Sequence, residues 1–265
     1  MLLTIITVNY NNRIGLERTI QSVVQQKYPE IEYLVIDGAS TDGSVSVIQQ
    51  YSNEITFWLS EPDKGIYDAM NKGIRISKGE YILFLNSGDY LVGDLVLAKV
   101  FSEGQKRCDL IIGRQKYEDR VTNKVSKAPF LKINELNIQF FLSSTLPHQS
   151  TFIHRSLFDK CGLYDECYKV SADWVFWIKA VVEHQCTVEI VPYYISLMES
   201  GGISTDMEKC HSDMRCYLEY CMQNGLLTWN DIFEVAMKGR GQDFCQRTYF
   251  IRMVNRIMIW IGKHR

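Results

Sequence analysis

The sequence predicts an α/β fold with a mostly parallel central sheet flanked by helices, continued by a helical C-terminal extension. Three observations carry that prediction. Short apolar runs rich in β-branched residues recur through the first ninety positions, amphipathic stretches of helical length separate them, and Asn, Asp and Gly punctuate the joins. Strands alternating with helices in this way build βαβ units, whose strands pair in parallel.

Taken in order, residues 2–8 form a continuous apolar run, as expected of a strand buried on both faces. Asn9 to Asn12 breaks it, and residues 14–25 are helical in pattern. Residues 33–36 give a second buried strand ending in Asp37-Gly38, after which Ser40 and Thr41 offer caps for a helix reaching about residue 51. Residues 55–59 read as a third strand, 66–76 as a helix and 81–85 as a fourth strand. The second half is less regular. Strands are expected near 110–113, 150–153 and 187–191 and a helix over 172–183, while 114–132 is polar and without a clear period. Beyond Asp206 the chain is mainly helical, which divides it into a catalytic unit, 1–205, and an extension, 206–265.

The length of 265 residues suits one large domain with such an appendage and buries a core without a staple. No CxxC occurs among the eight cysteines, and the Cys cluster near His211 lacks zinc-finger spacing. The start, MLLTIITVNYNN, has no basic n-region or small-residue cleavage site, and no run approaches the roughly 18 apolar residues of a membrane span. A cytoplasmic protein with reduced thiols is the expectation. Charge is unevenly spread: seven basic residues and one acid make 238–265 a +6 segment, leaving −8 on the remainder of a chain of net −2. Nothing in this pattern suggests a nucleic-acid partner.

Three acids follow strands: Asp37, Asp63 and Asp89. In parallel sheets they share one edge, where crevices collect ligands. Each alone is equally a turn residue. Together, with no GxGxxG and no GxxxxGK[ST], they point to a nucleotide site of another kind.

The runs ITVNYNN, VIDGASTDGS, DKGIYDAMNKGI and GEYILFLNSGDYL resemble, in order and spacing, the N-terminal half of family 2 glycosyltransferases of GT-A fold, especially those of capsule, colanic-acid and O-antigen assembly. The likeness is dense over residues 1–92; later landmarks are SADWVFWIK and ESGGIS. It implies that Thr7, Val8 and Asn9 line a nucleoside pocket, that Asp37 hydrogen-bonds the base, which favours uracil, and that Asp63 and Asn71 border nucleotide and sugar. The family's metal motif, Asp-x-Asp with a further acid, stands here as Asn86-Ser87-Gly88-Asp89, so one carboxylate remains. A divalent ion, Mg²⁺ or Mn²⁺, commonly takes one or two carboxylates plus substrate phosphates, so Asp89 suffices with Asn86 adding a neutral oxygen. Asn86 to Asp89 as a plain turn is the alternative.

Asp173 is the general base by resemblance. Ser171 can cap its helix, and the first-turn position favours the charged carboxylate; by residue pattern alone, a stabilising helix acid explains it better. Trp174 packs nearby, on the acceptor side. His148 and Gln149 face the acceptor or serve structure; Gly201, Gly202 and Ser204 close over the diphosphate or simply connect. Tyr67 and Met70, at i and i+3, read as core. The tail places Arg252, Arg256 and Lys263 on one helix face, with Trp260 near the end. It suits the anionic inner face of the cytoplasmic membrane, or docks on the domain.

The resulting expectation is an inverting, metal-dependent enzyme moving a sugar from a nucleotide-diphospho-sugar to a hydroxyl of a lipid-linked saccharide in surface polysaccharide synthesis. A nucleotidyltransferase would need a basic, glycine-rich first loop, unlike Asn9 to Arg13. A non-catalytic sugar-nucleotide-binding or scaffolding subunit is the alternative, separable by its lack of turnover.

Overall fold

All seven residues of strand β1 (Leu3–Asn9) are buried, because the strand lies inside a sheet covered on both faces. The computed structural model describes residues 1–101, 108–119, 122, 124–128, 131–199 and 207–238. Among them the chain passes through β1, α1 (Arg13–Val24), β2 (Ile31–Asp37), α2 (Ser44–Gln50), β3 (Phe57–Ser60), α3 (Ile66–Ile76), β4 (Tyr81–Phe84), β5 (Tyr90–Leu91) and α4 (Val96–Phe101). There follow β6 (Leu110–Glu118), β7 (Val125–Lys127), α5 (Ile138–Phe141), β8 (Thr151–His154), α6 (Ser156–Cys161), α7 (Ala172–Ile178), β9 (Val188–Glu199), α8 (Met207–Gln223) and α9 (Trp229–Lys238).

The sheet order is β3-β2-β1-β4-β8-β6-β9-β5, with β7 paired to β6. Strands β3, β2, β1 and β4 are parallel, as their alternation with helices predicts. At β8 the direction reverses, and β6 and β5 also make antiparallel pairs, so the complete sheet is mixed. Side-chain alternation along the strands feeds two cores. Ile6, Val8, Leu34 and Ile36 meet α3, α5, α6 and α7 on one face, while Leu3, Ile5, Tyr33 and Val35 meet α1, α2 and α4 on the other. Helix α3 rides close on β1: a Cβ at Gly73 would fall 2.6 Å from Ile6 Cγ2.

Several boundaries differ from the sequence reading for local reasons. Helix α2 starts at Ser44, not after Ser40 and Thr41, because Asp42 accepts from the Ser44 amide at 3.0 Å and Ser40 is drawn to Asp37. The third strand is Phe57–Ser60. The polar stretch after residue 113 continues β6 to Glu118, which then pairs with β7. Helix α7 ends at Ile178 and continues as a π-turn, Lys179–Glu183. The described helices beyond 206 close the same core: Tyr217, Leu218, Cys221, Leu227 and Ile232 are buried with Trp174 and Phe176. Described cysteines are all free thiols.

Candidate active site

The carboxyl ends of β1 and β2 are tied into one unit. Asn9 pairs in register with Asp37, and its Nδ2 donates to Asp37 Oδ1 at 2.7 Å. Ser40 donates through Oγ to Oδ1 (2.6 Å) and through its amide to Oδ2 (2.9 Å), and Ser60 Oγ donates to Oδ2 at 2.6 Å. Asp37 is fully buried, so four donors of the chain itself satisfy the carboxylate that the resemblance assigned to a base. These contacts fix the shape of the β1 and β2 loops. Both loops hold non-glycine residues in the left-handed region, Asn11 (φ 48) and Ala39 (φ 60). Thr7 turns into the sheet, its hydroxyl 3.0 Å from Tyr33 Oη, and Val8 belongs to the core, which leaves their backbone but not their side chains to a pocket. Tyr10, not singled out in the sequence, is 70% exposed at this rim beside Gly38. Asn9 Oδ1 is buried without a hydrogen-bond partner.

Asp63 does reach this edge, its Oδ2 within 2.8 Å of where a Gly38 Cβ would stand. Lys72 holds it at 2.6 Å and also pairs with Glu61 (3.0 Å) and Asp68 (3.4 Å). Burial raises the Asp63 carboxyl above its usual value against the pull of Lys72. Asn71 is placed differently from the expectation. It is buried, donating from Nδ2 to Tyr164 O at 2.8 Å and accepting from Tyr164 N at 3.0 Å. It therefore pins the loop before α7 to α3 and presents nothing to a ligand.

The tip after β4 is a turn closed by Asp89 N donating to Asn86 O at 2.9 Å, with Gly88 at φ 104, a conformation that favours glycine. Gly88 N donates to Thr19 Oγ1, which in turn donates to Asp89 O at 2.7 Å; Asn12 Nδ2 holds Ser87 O at 2.9 Å. Helix α1 thus fixes the tip. Asp89 is 6% exposed; Gln149 Nε2, with its own oxygen held by Gln115, donates to it at 3.1 Å, and the Glu199 backbone also hydrogen-bonds it. Burial pushes the Asp89 carboxyl up to about 7, against the lowering effect of His148 and Gln149. Asn86 Oδ1 is also buried without a partner. A buried acid and an orphaned amide oxygen on one turn offer oxygen-only ligands, chemistry that fits a hard divalent cation. Among the described residues no three His, Cys, Asp or Glu side chains gather as a metal cluster, so further ligands would come from phosphate and water.

Asp173, on the first turn of α7, is brought to this tip by His148. His148 Nδ1 lies 3.3 Å from Asp173 Oδ2 and Nε2 lies 3.1 Å from Asn86 Nδ2, linking positions 86, 148 and 173. Tyr67 donates to Asp173 Oδ1 at 2.8 Å. Burial would raise the Asp173 carboxyl, but the His148 contact, the Tyr67 hydroxyl and the Trp174 amide outweigh it and hold it below its ordinary value. The direction agrees with the helix-terminus argument, whereas the principal agents are side chains from elsewhere in the fold. Ser171 makes no side-chain cap; Asp213 of α8 accepts from the Val170 and Ser171 amides at 2.8 and 3.2 Å instead. Trp174 is 3% exposed and donates to Phe141 O at 2.9 Å, so it is core and not an acceptor contact.

His148 and Gln149, adjacent in LPHQSTF, join both acids, one each. The sequence does not reveal the site contacts of Tyr67, Thr19, Asn12 and Asp213. Their signal is absent locally because each acts on a partner 42 to 106 positions away. Gly201, Gly202 and Ser204 lie outside the described residues, as does the helix face at 247–265. No described helix is long and apolar enough to cross a membrane.

Residues 4–162 match the model of Glycosyl transferase family 2. An uncharacterized glycosyltransferase of Mycobacterium tuberculosis is 33% identical over 192 residues, 68% of each chain. A PGL/p-HBAD biosynthesis glycosyltransferase of Mycobacterium bovis is 30% identical over 211 residues, 76% of this chain and 78% of the relative. The putative teichuronic acid biosynthesis glycosyltransferase TuaG of Bacillus subtilis is 36% identical over 91 residues, 33% of this chain and 36% of its own. In three dimensions, TarS 1–349 of S. aureus with UDP-GlcNAc superposes at TM-score 0.66 and 16% identity, over 97% of this chain and 72% of that one; the chain spans 43% of the longer TarS structure. A mannosyltransferase of Pyrobaculum calidifontis, in complex with GDP-Man and Mn²⁺, superposes at 0.65 and 13%, over 97% of this chain and 86% of that one. The parallel β3-β2-β1-β4 half, the acid at the β4 tip and the matched family model agree: the chain is a glycosyltransferase and belongs to Glycosyl transferase family 2, with the GT-A fold.

Proposed function

We propose that the chain is an inverting enzyme that moves a sugar from a nucleotide-diphospho-sugar, with a UDP-sugar favoured, to a hydroxyl of a lipid-linked saccharide in cell-surface polysaccharide assembly. The observation that carries the reading is one connected site. It holds a carboxylate kept ionised, Asp173, joined through His148 and Asn86 to a strand tip bearing a second carboxylate whose burial raises its proton affinity, Asp89.

Asp173 takes the proton of the acceptor hydroxyl as that oxygen bonds to the anomeric carbon, and the nucleoside diphosphate leaves from the opposite face. Asp89 and Asn86 Oδ1 would hold Mg²⁺ or Mn²⁺; when bound, the ion offsets charge on the departing diphosphate. Tyr10 offers an exposed ring on which a base can stack, and Asn9 Oδ1 an acceptor beside it. Asp63, gripped by Lys72, borders the donor pocket. The TuaG likeness supports the polysaccharide setting, and the UDP-GlcNAc and GDP-Man complexes of the structural neighbours support the donor class. Residues 1–205 are the catalytic unit, and 206–265 are its helical C-terminal extension. Contact of 247–265 with the cytoplasmic membrane is part of the same proposal.

A thermal-shift screen of UDP- and GDP-sugars with Mg²⁺ or Mn²⁺ tests the reading, since a bound donor stabilises by mass action. One donor class should raise the melting temperature only with the ion, and should be turned over. Nucleotide binding with no turnover on any acceptor would instead identify a binding subunit.

A further inference from the structure

The Tyr67 hydroxyl lies 2.7 Å from Val170 O and 2.8 Å from Asp173 Oδ1. A phenol has one proton to donate, so it cannot serve both acceptors at once. With Asp173 ionised, the charge-assisted bond to the carboxylate is the stronger and takes the proton. Val170 O then faces Tyr67 Oη at 2.7 Å with no proton between them. With Asp173 protonated on Oδ1, the carboxyl O–H donates to Tyr67 Oη and the phenol donates to Val170 O. Each short contact then has its own proton. The geometry accommodates both protonation states of Asp173 through rotation of one O–H bond.

Nothing else needs to move. Tyr67 is 6% exposed, and its ring packs on Tyr164 with centroids 5.5 Å apart. Burial and the neighbouring Asp173 push the Tyr67 phenol well above its ordinary value, so it keeps its proton and is not itself the base. The other groups facing Asp173 are His148 from the turn before β8, at Oδ2, and Tyr164 from the loop after α6, whose hydroxyl is buried without a partner. Asp213 of α8 engages the preceding amides.

We propose that Tyr67 is a positioning residue for Asp173: a hydroxyl rotor that donates to the ionised carboxylate and turns to Val170 O once that carboxylate takes the acceptor's proton. The inference rests on Asp173 being the base. In the step, the acceptor O–H bond breaks and its proton goes to Asp173, while its electron pair forms the bond to the anomeric carbon. The pair of the broken sugar–oxygen bond leaves with the diphosphate. Tyr67 gains and loses no atom.

The test is spectroscopic and uses the full chain without substrate at neutral pH. With tyrosines labelled ¹³C at Cζ and valines at the carbonyl carbon, the Cζ resonance missing from Tyr67→Phe belongs to Tyr67. Should that variant not fold, 3-fluorotyrosine at position 67 supplies a single ¹⁹F signal instead. Asp173→Asn presents an uncharged N–H donor in place of the carboxylate and stands in for the protonated acid. The Tyr67 signal should shift in Asp173→Asn, and the Val170 carbonyl carbon should shift with it because it gains a donor. If either signal stays where it is in the wild type, the hydroxyl does not switch and the proposal is overturned. The base assignment fails differently: Asp173→Asn transferring sugar at the wild-type rate removes it and leaves the spectra unaffected.

Discussion

Two acids 84 positions apart, Asp89 buried and Asp173 half-buried, are pushed in opposite directions by the regions that hold them. At the β4 tip, burial lifts Asp89 to about 7 despite His148 nearby and hydrogen bonds from Gln149 and the Glu199 backbone. At the start of α7, Asp173 is also largely enclosed, but Tyr67 and His148 hold its two oxygens and keep it below its ordinary value. The difference teaches that burial alone does not set a carboxylate's charge; the hydrogen bonds and charges around it act against burial. Opposed shifts in one site are what the proposed division of roles requires, with Asp173 as the base and Asp89 as the cation ligand.

The sharpest way to break this comparison is Asp173→Asn. Transfer should fall by about 10²–10⁴-fold while donor affinity stays within a small factor, since the residue acts on the acceptor's proton. Full transfer activity in that variant, measured as nucleoside diphosphate released, would end the assignment. Next in size is Asp89→Asn, which should weaken ion-dependent nucleotide binding by about 100-fold. Unchanged Mg²⁺- or Mn²⁺-dependent binding in calorimetry would remove Asp89 as a ligand.

The two acids should also leave opposite signatures in stability against pH. The raised Asp89 binds a proton more tightly folded than unfolded, so without ions its contribution is full at low pH and is lost as pH rises from about 4 towards 7. Asp89→Asn should flatten that slope in denaturant titrations. Asp173, lowered on folding, contributes above the ordinary carboxylate range, and that contribution is lost as pH falls through its folded value. Ion affinity at Asp89 should accordingly drop by roughly tenfold per pH unit below 7, because the ion must displace a proton.

The smallest expected effect probes the support under α7. Asp213→Ala removes the acceptor for the Val170 and Ser171 amides and should cost about 1–2 kcal/mol of stability. Asp213→Asn should recover most of it, since an amide oxygen still accepts. Equal loss in both variants would mean that the charge, not the cap, matters.

Much of this site was legible in the chain, for reasons that can be stated. Asp37 and Asp89 follow apolar runs that have no reading except buried strands, and Asp173 follows a serine at the start of an amphipathic run. What a local pattern cannot carry is the partner. Tyr67 falls at i, i+3 with Met70 and reads as core, which its ring is; its hydroxyl meets Asp173 only because α3 packs before α7. Asn71 carries the right residue type for a ligand contact and spends both ends of its amide on Tyr164. Ser171 looked like the cap, but a side chain from the extension supplies it.

By itself, the sequence determined the four parallel strands, the position of helix α3 to the residue, and the family, because each follows from periodicity and short-range motifs. Only the tertiary structure decided in which direction each acid is pushed. The reversal at β8 sets His148 and Gln149 between the two halves, where one reaches Asp173 and the other Asp89. The charge of a buried carboxylate depends on donors within hydrogen-bond reach, and those donors arrive from distant segments that meet only when the sheet is complete.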